Sequence, residues 1–539
     1  MFSIIKRLLQ RVKKPKPKTV VGDINIQQQA TLPGERVRDI GKLSRSLEDN
    51  IAYLKESVGK SDDLRYRRFQ IGDSKVAAVV VWVDSLTDED RLVRGVLEPL
   101  LFQTRQAPPP RLSKQGILEV WKTLRDQILT VNAVTDTTDF DLAVIQLLSG
   151  RSLLFLEGVD RVLMLSTQGW AQRGIESPVA DQTIRGPRDA FTETLKINVA
   201  QIRRRLRDPK LRVKLKRVGA RGVNDIALVY VEDLVNPIIL DTVKKRLDAI
   251  DVDAVLESGY LEQLIEENWL SPFPTILSTE RPDEVAGQIL EGRVALLTDN
   301  TPFAVIAPAT FDSLFHAAED YYQKWQLVSA IRLFRFAATM AAIFVPAAYV
   351  ALTTYHQGML PSKLAIAISA TRQGVPLPAV GEAFLMLFLL ELLREAGVRL
   401  PTPLGQTIGI VGGLIIGQAA VQAGLISDLM VIIVATTAIS SFTIPDFESA
   451  LALRLLAFPM LIAAGTFGLY GLTMAILIMF IHLAAMKSFG VPYLVPFAPL
   501  KPKALLRDTI ARAPWMSMKR RPAFFASGDR DRMDDRRDS

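Results

Sequence analysis

Hydrophobic positions fall into two regimes along this chain. Up to about Arg335 they recur in short periodic patches between charged and turn-forming residues; beyond it, apolar segments follow one another to about Met486. Leu47, Ile51, Leu54 and Val58 recur at helical spacing. The run Lys75 to Val83, nearly all apolar and β-branched, predicts a strand buried on both faces. Helical patterns follow over Asp90 to Phe102 and Lys114 to Val131, separated by Pro108, Pro109 and Pro110. From about Asp139 a second unit is expected: a helix through Leu148, strands Leu153 to Glu157 and Arg161 to Ser166 around Gly158-Val159-Asp160, and a helix from Arg188 to Leu206. A strand Ile226 to Val231, a helix Pro237 to Ile250 and strands Arg293 to Leu297 and Phe303 to Ile306 complete it. This alternation predicts two mixed α/β subdomains, and no internal repeat is evident.

The later regime predicts a polytopic, all-α transmembrane domain of five or six helices. Segments near 336 to 354, 379 to 395, 406 to 425 and 428 to 445 approach the ~20 apolar residues that cross a ~30 Å hydrocarbon layer. Leu455 to Met486 would run about 46 Å as one helix, too long for one untilted span. Gly468, Tyr470 and Gly471 near its middle predict two short helices or a kinked or re-entrant one. Six crossings return the basic C-terminal tail to the side of the soluble domain, and five do not; six is preferred. The expected division is a flexible basic lead-in (1–38), α/β subdomains at 39–135 and 136–325, the helical domain at 326–490 and a basic tail at 491–539, disordered after Ser527.

Charge adds partners rather than chemistry. The net charge of +8 is diffuse, but basic residues concentrate at the two ends, as in Lys13, Lys14, Lys16 and Lys18 and in Lys519, Arg520, Arg521 and Arg532, clusters that attract anionic lipid headgroups or phosphates. Pro15 and Pro17 interrupt the first cluster and no groove-reading pattern follows, which argues against nucleic acid. Met1 to Val12 reads as an interfacial helix. The chain has no cysteine, so a disulfide framework and thiolate chemistry are excluded, in keeping with a reducing cytoplasm. His316, His356 and His482 are widely separated, and no phosphate-cradling or dinucleotide fingerprint is present. A non-enzymatic protein without cofactor or metal is expected. Arg203, Arg204 and Arg205 predict a solvated or subunit-facing helix surface more than a phosphate site.

The third apolar helix carries the candidate functional residues. Gly405, Gly409, Gly413 and Gly417 recur every four residues, a stripe drifting about 40° per step that lets another helix approach closely. Two readings stand: packing within one subunit, or copies around an axis with Gln418 and Gln422 wetting a lumen and Ile410 or Leu414 forming a constriction that gates by dewetting. Glu382 and Glu391 are ionisable at membrane depth and require partners. Glu391, Arg394 and Glu395 pair at helical spacing, while Glu382 suits a helix N-terminus.

A run of words then resembles the GerA family of spore germination proteins. They include Ser271-Pro-Phe-Pro-Thr275, Thr279-Glu-Arg-Pro282, Glu291-Gly-Arg-Val-Ala295 and Ala307-Pro-Ala-Thr-Phe311; downstream are Leu393-Arg-Glu-Ala-Gly-Val-Arg-Leu-Pro401, Ser441-Phe-Thr-Ile-Pro445 and Lys487-Ser-Phe-Gly-Val-Pro-Tyr493. The resemblance spans about residues 140 to 515. It implies the A subunit of a nutrient germinant receptor in the spore inner membrane, multi-pass with its soluble domain cytoplasmic. Such a subunit works with a transporter-like B subunit and a lipoprotein C subunit and forms a homo-oligomeric, nutrient-gated monovalent cation channel. The amino acid or other nutrient would act on it directly or through the B subunit. A nutrient-independent channel paralogue carries the same words; a secondary transporter component and a scaffold for lytic enzymes are the rival classes.

Overall fold

The computed structural model describes residues 43–71, 76–102, 114–169, 178, 181, 183–399, 417–522, 524–525 and 528–533. The basic lead-in and the Met1 to Val12 helix therefore lie outside the described residues.

Helix α1, Leu47–Val58, forms as its spacing predicts: Ser46 caps it by accepting from the Asp49 amide, and Leu47, Ile51, Leu54 and Val58 are buried. Five antiparallel strands follow, β1 (Leu64–Ile71), β2 (Val76–Val83), β3 (Val134–Thr137), β4 (Ser152–Leu156) and β5 (Val162–Leu165), in the order β1-β2-β4-β5-β3. A second antiparallel sheet has β6 (Leu211–Val218), β7 (Asn224–Val231), β8 (Leu277–Thr279), β9 (Val294–Thr298) and β10 (Ala304–Ala307) in the order β6-β7-β9-β10-β8. Strand β2 is buried along most of its length, as its composition predicts, because it lies between β1 and β4.

Two expectations change. The hairpin β4–β5 was expected in the second subdomain, but it inserts between β2 and β3, so the first sheet runs past residue 136. The absence of a repeat is also corrected. The two sheets share one strand order, and their elements share one sequence: helix, hairpin, helices, strand, helix, hairpin. In the second unit these helices are α3 (Leu195–Arg205), α4 (Pro237–Asp248), α5 (Ser258–Ile265) and α6 (Pro282–Leu290); α2 (Phe140–Leu148) of the first unit occupies the place of α6. Weak echoes remain, Val81-Trp82-Val83-Asp84-Ser85-Leu86 against Val229-Tyr230-Val231-Glu232-Asp233-Leu234, and Gly150-Arg151 against Gly292-Arg293. A repeat conserved in topology but not in residue identity leaves little periodic signal.

The two sheets are tied where the edge strand of one approaches that of the other. The Asp62 amide donates to Val213 O at 2.9 Å. Arg203, buried on α3, holds Asp63 through two bonds of 2.8 and 2.9 Å and Ser61 Oγ at 2.8 Å. Arg205 pairs with Asp189 at 2.6 Å. The expected solvated arginine face is thus corrected: Arg203 and Arg205 are spent on intrachain pairs.

Beyond the second sheet run α7 (Trp325–Thr354), α8 (Ser362–Thr371), α9 (Ala379–Arg399), a helical segment 417–422, α10 (Asp428–Ser441) and α11 (Phe447–Ala485). Among the described residues, α7 and α11 are long and apolar enough to cross a membrane. Within α11, Gly468 has φ 61° and ψ −143° and breaks the helix, as the glycine pair predicts. The two arms fold against each other and along α7. Leu453 and Met479, from opposite arms, line one apolar cavity of about 160 Å³, and the Tyr355 hydroxyl at the end of α7 donates to Gly465 O and Thr466 O at 2.8 and 3.0 Å.

The segment after 490, expected as a basic tail, is also corrected. Tyr493, Leu494, Val495, Met518 and Phe525 are buried, and Arg521 and Arg532 bond back to Leu290 O and Glu291.

Candidate functional site

Of the predicted pore helix, Gly405, Gly409, Ile410, Gly413 and Leu414 lie outside the described residues. Gly417, Gln418 and Gln422 lie in the helical segment that follows. Gly417 is buried, and a Cβ built on it would lie 3.9 Å from Val431 Cγ1 of α10, so at this level the glycine faces a neighbouring helix of the same chain. Gln418 and Gln422 are exposed on the single chain.

Three polar clusters occur in the helical region and at its base. At the end of the bundle near Tyr355, the fully buried Glu382 of α9 pairs with Arg372 at 3.1 Å and accepts from Ser427 N and Oγ at 3.1 and 2.8 Å. Glu382 does serve a helix N-terminus, but that of α10, whose N-cap is Ser427. This meets the demand of a charge out of water for a counter-charge and hydrogen bonds. At the opposite end, Glu391 pairs with Arg394 at 2.8 Å and Arg454 at 3.5 Å, and Arg394 reaches Ser441 Oγ at 2.7 Å. Glu395 pairs with Arg399 instead.

The third cluster joins the α/β part to α7. Arg332 and Arg335, on one face of α7, both bind Asp320, at 2.8 and 3.1 Å, and Arg332 also pairs with Asp508 at 3.1 Å. Beside it, Phe336 packs on Phe315 and Phe497, with ring centroids 5.5 and 6.3 Å apart, and Phe311 meets Phe497 at 6.1 Å. The apolar core of the second sheet is therefore continuous with α7 and both arms of α11. Sequence reading missed this junction because Asp508 is 176 residues from Arg332. His482 accepts or donates to Ser271 Oγ at 2.9 Å, and no group of metal-binding side chains gathers among the described residues.

This arrangement defines a class: a duplicated α/β body fused through a polar and aromatic junction to apolar helices. The chain belongs to the GerA family of spore germination proteins, whose pattern, described as Bacillus/Clostridium GerA spore germination protein, matches residues 52–524. It is 42% identical over 489 residues to spore germination protein KA of Bacillus subtilis (strain 168), covering 90% of this chain and 88% of that one. It is 38% identical over 488 residues to spore germination protein GerLA of Bacillus cereus, covering 90% and 97%. The crystal structure of the N-terminal domain of the A subunit of the Bacillus megaterium spore germinant receptor GerK3 is 33% identical, with a TM-score of 0.38, covering 51% of this chain and 99% of that chain.

Proposed function

We propose that this chain is the A-type subunit of a nutrient germinant receptor in the spore inner membrane, and that copies of it surround a gated pore for monovalent cations. The observation that carries the reading is the GerA match across both α/β units and the helical region, residues 52–524. The helical region is read as six crossings, with α11 contributing two. This is supported by the turn at Gly468 and by the return of Met479 to the level of Leu453. The α/β part then lies in the cytoplasm together with the C-terminal segment. The division proposed with it moves the end of the first α/β unit from 135 to about 169, where the first sheet is complete.

The helix bearing Gly405, Gly409, Gly413 and Gly417 is proposed to line the pore, with Ile410 and Leu414 as the constriction and Gln418 and Gln422 in the lumen. Transporter-like B and lipoprotein C subunits are the proposed partners, and an amino acid or other nutrient shifts the closed–open equilibrium by its difference in affinity for the two states, directly or through the B subunit. No catalytic role is assigned. The test is potassium efflux from cells expressing the chain with its B and C partners, with and without a panel of amino acids. Nutrient-triggered efflux that Leu414→Ala makes constitutive supports the gate; retained potassium from an assembled complex overturns the channel reading.

A further inference from the structure

A cavity of about 690 Å³ lies where the C-terminal segment folds back over the second sheet and the base of α7. That is within the ~300–1,000 Å³ typical of small-molecule sites. Its carboxylates are already engaged: Glu291 by Arg532 at 3.0 Å, Asp508 by Arg332 at 3.1 Å, and Asp312 by the Thr310 hydroxyl at 2.5 Å. Arg520 and Arg521 pair with Asp531 and Asp529 at 3.4 and 3.3 Å. Among the described residues, four lining cations make no ion pair: Arg293, Lys501, Lys503 and Arg507.

Arg293 decides the matter. Its side chain is 3% exposed, its guanidinium lies 4.2 Å over the Phe525 ring, and Nη1 donates to Pro308 O at 3.0 Å, while Nε has no acceptor. Taking a cation out of water without a direct ion pair is costly, and burial lowers the pKa of Arg293, opposed by the more distant Glu291 and Asp312. Arg507 is likewise lowered, by burial and by the repulsion of Arg532 and Arg520. His316 Nε2 is also unpartnered, and burial with Arg332, Arg293 and Arg335 around it keeps the imidazole neutral.

The surroundings favour one source of anion. Leu500, on the cavity wall, is 66% exposed, and Leu506 and Met516 of the same segment are 61% and 80% exposed. Apolar side chains beside a basic cavity match the boundary between headgroup and acyl chain. We propose that this cavity binds a phosphate-bearing anion, presented by the headgroup of an anionic phospholipid. Guanidinium groups suit phosphate oxygens because their donors form a planar fork. The lipid source rests on the membrane reading above; the anion site itself does not.

The test titrates the delipidated full-length chain in detergent with phosphatidylglycerol, phosphatidylcholine or inorganic phosphate, read by native mass spectrometry. Lys503→Ala/Arg507→Ala removes two cations that hold no ion pair; at about fivefold per cation, phosphatidylglycerol binding falls about twenty-five-fold. Lys503→Ala alone, expected at about fivefold, serves if the double variant does not fold. Selective phosphatidylglycerol binding that falls in the variants supports the proposal. Phosphate binding that falls equally, without lipid preference, keeps the anion site but overturns the lipid as its source. Equal binding of both lipids, or affinities unmoved by the substitutions, overturns the site.

Discussion

Substituting Gly471 by alanine places a methyl group where the chain has no room: a Cβ built there lies 2.0 Å from the carbonyl oxygen of Ala463. Eight residues of continuous helix separate two positions by about 12 Å, so this contact exists because α11 turns back at Gly468. A continuous helix would likewise hold Leu453 and Met479 about 39 Å apart, yet both line one cavity. Forcing a Cβ against a backbone carbonyl, which has no rotamer to escape into, costs about 1–3 kcal/mol. Gly468→Ala adds a residue held where only glycine is at ease, about 1–3 kcal/mol more, with His356 Cε1 2.8 Å from the new methyl. The sum, about 2–6 kcal/mol, is a large part of the ~5–15 kcal/mol that holds a domain. The chain has no cysteine, so Leu453→Cys/Met479→Cys can be treated in membranes with a short bismaleimide. The pair is expected to cross-link in the parent chain and to lose most of that yield with Gly468→Ala/Gly471→Ala. If both cysteines label singly with maleimide but never cross-link in the parent, the arms are not apposed and the hairpin is refuted.

Arg203→Met leaves the buried Asp63 without its counter-charge and is expected to cost about 3–5 kcal/mol, most of it recovered in Arg203→Met/Asp63→Leu; paired thermal melts of the full chain check this, and equal melting points for parent and single variant would exclude the clamp. Glu284 is pushed up from the usual 4.5 to about 8, first by burial and then by Asp181. Its protonated form is favoured in the folded state, so the stability it contributes is complete below pH 4.5 and is lost as pH rises to about 8. Glu284→Gln therefore flattens the fall in melting temperature across that window and stabilises the protein at pH 8; an unchanged slope would remove Glu284 as the cause. In the helical region, Glu382→Ala strands Arg372 and is expected to cost about 3–5 kcal/mol. A double-mutant cycle with Arg372→Ala should give a coupling above about 1 kcal/mol, measured by denaturation in detergent, and additive effects would sink the pairing.

What the sequence reveals about this fold follows from where each signal resides. Strand β2 and helix α1 were legible because their own residues record their burial: β2 is apolar throughout, and α1 carries an apolar stripe at helical spacing. The edge strands β1 and β6 were not, although they are long, because Arg65, Arg67 and Arg68 on one and Lys214 and Lys216 on the other break the apolar pattern. Charged side chains are common on edge strands, and here Lys214 of β6 pairs with Asp62 beside β1 at 3.0 Å, so a charge that joins the two sheets also hides the strand. The break at Gly468 was legible from local chemistry, since an over-long apolar run with two glycines has to bend or end.

The charged groups failed in a consistent direction. Arg203 read as solvated or subunit-facing and Arg332 drew no reading, because a sequence displays a charge without its counter-charge. Asp63 lies 140 residues from Arg203, and Asp508 lies 176 from Arg332. The C-terminal segment was read as a tail for the same reason. Its arginines count as surplus charge until the end of α6 supplies Glu291 for Arg532 and the carbonyl of Leu290 for Arg521, leaving a cavity for the rest. Long-range charge pairing thus separates legible elements from illegible sites here. The candidate pore helix differs, since its glycine stripe is a local pattern, but whether that face packs inside one subunit or around an axis depends on copies of the chain that no single sequence displays. Gly417 against Val431 favours the first arrangement at one level of the helix, and Gln418 and Gln422, exposed one turn apart, leave the second available on its other face.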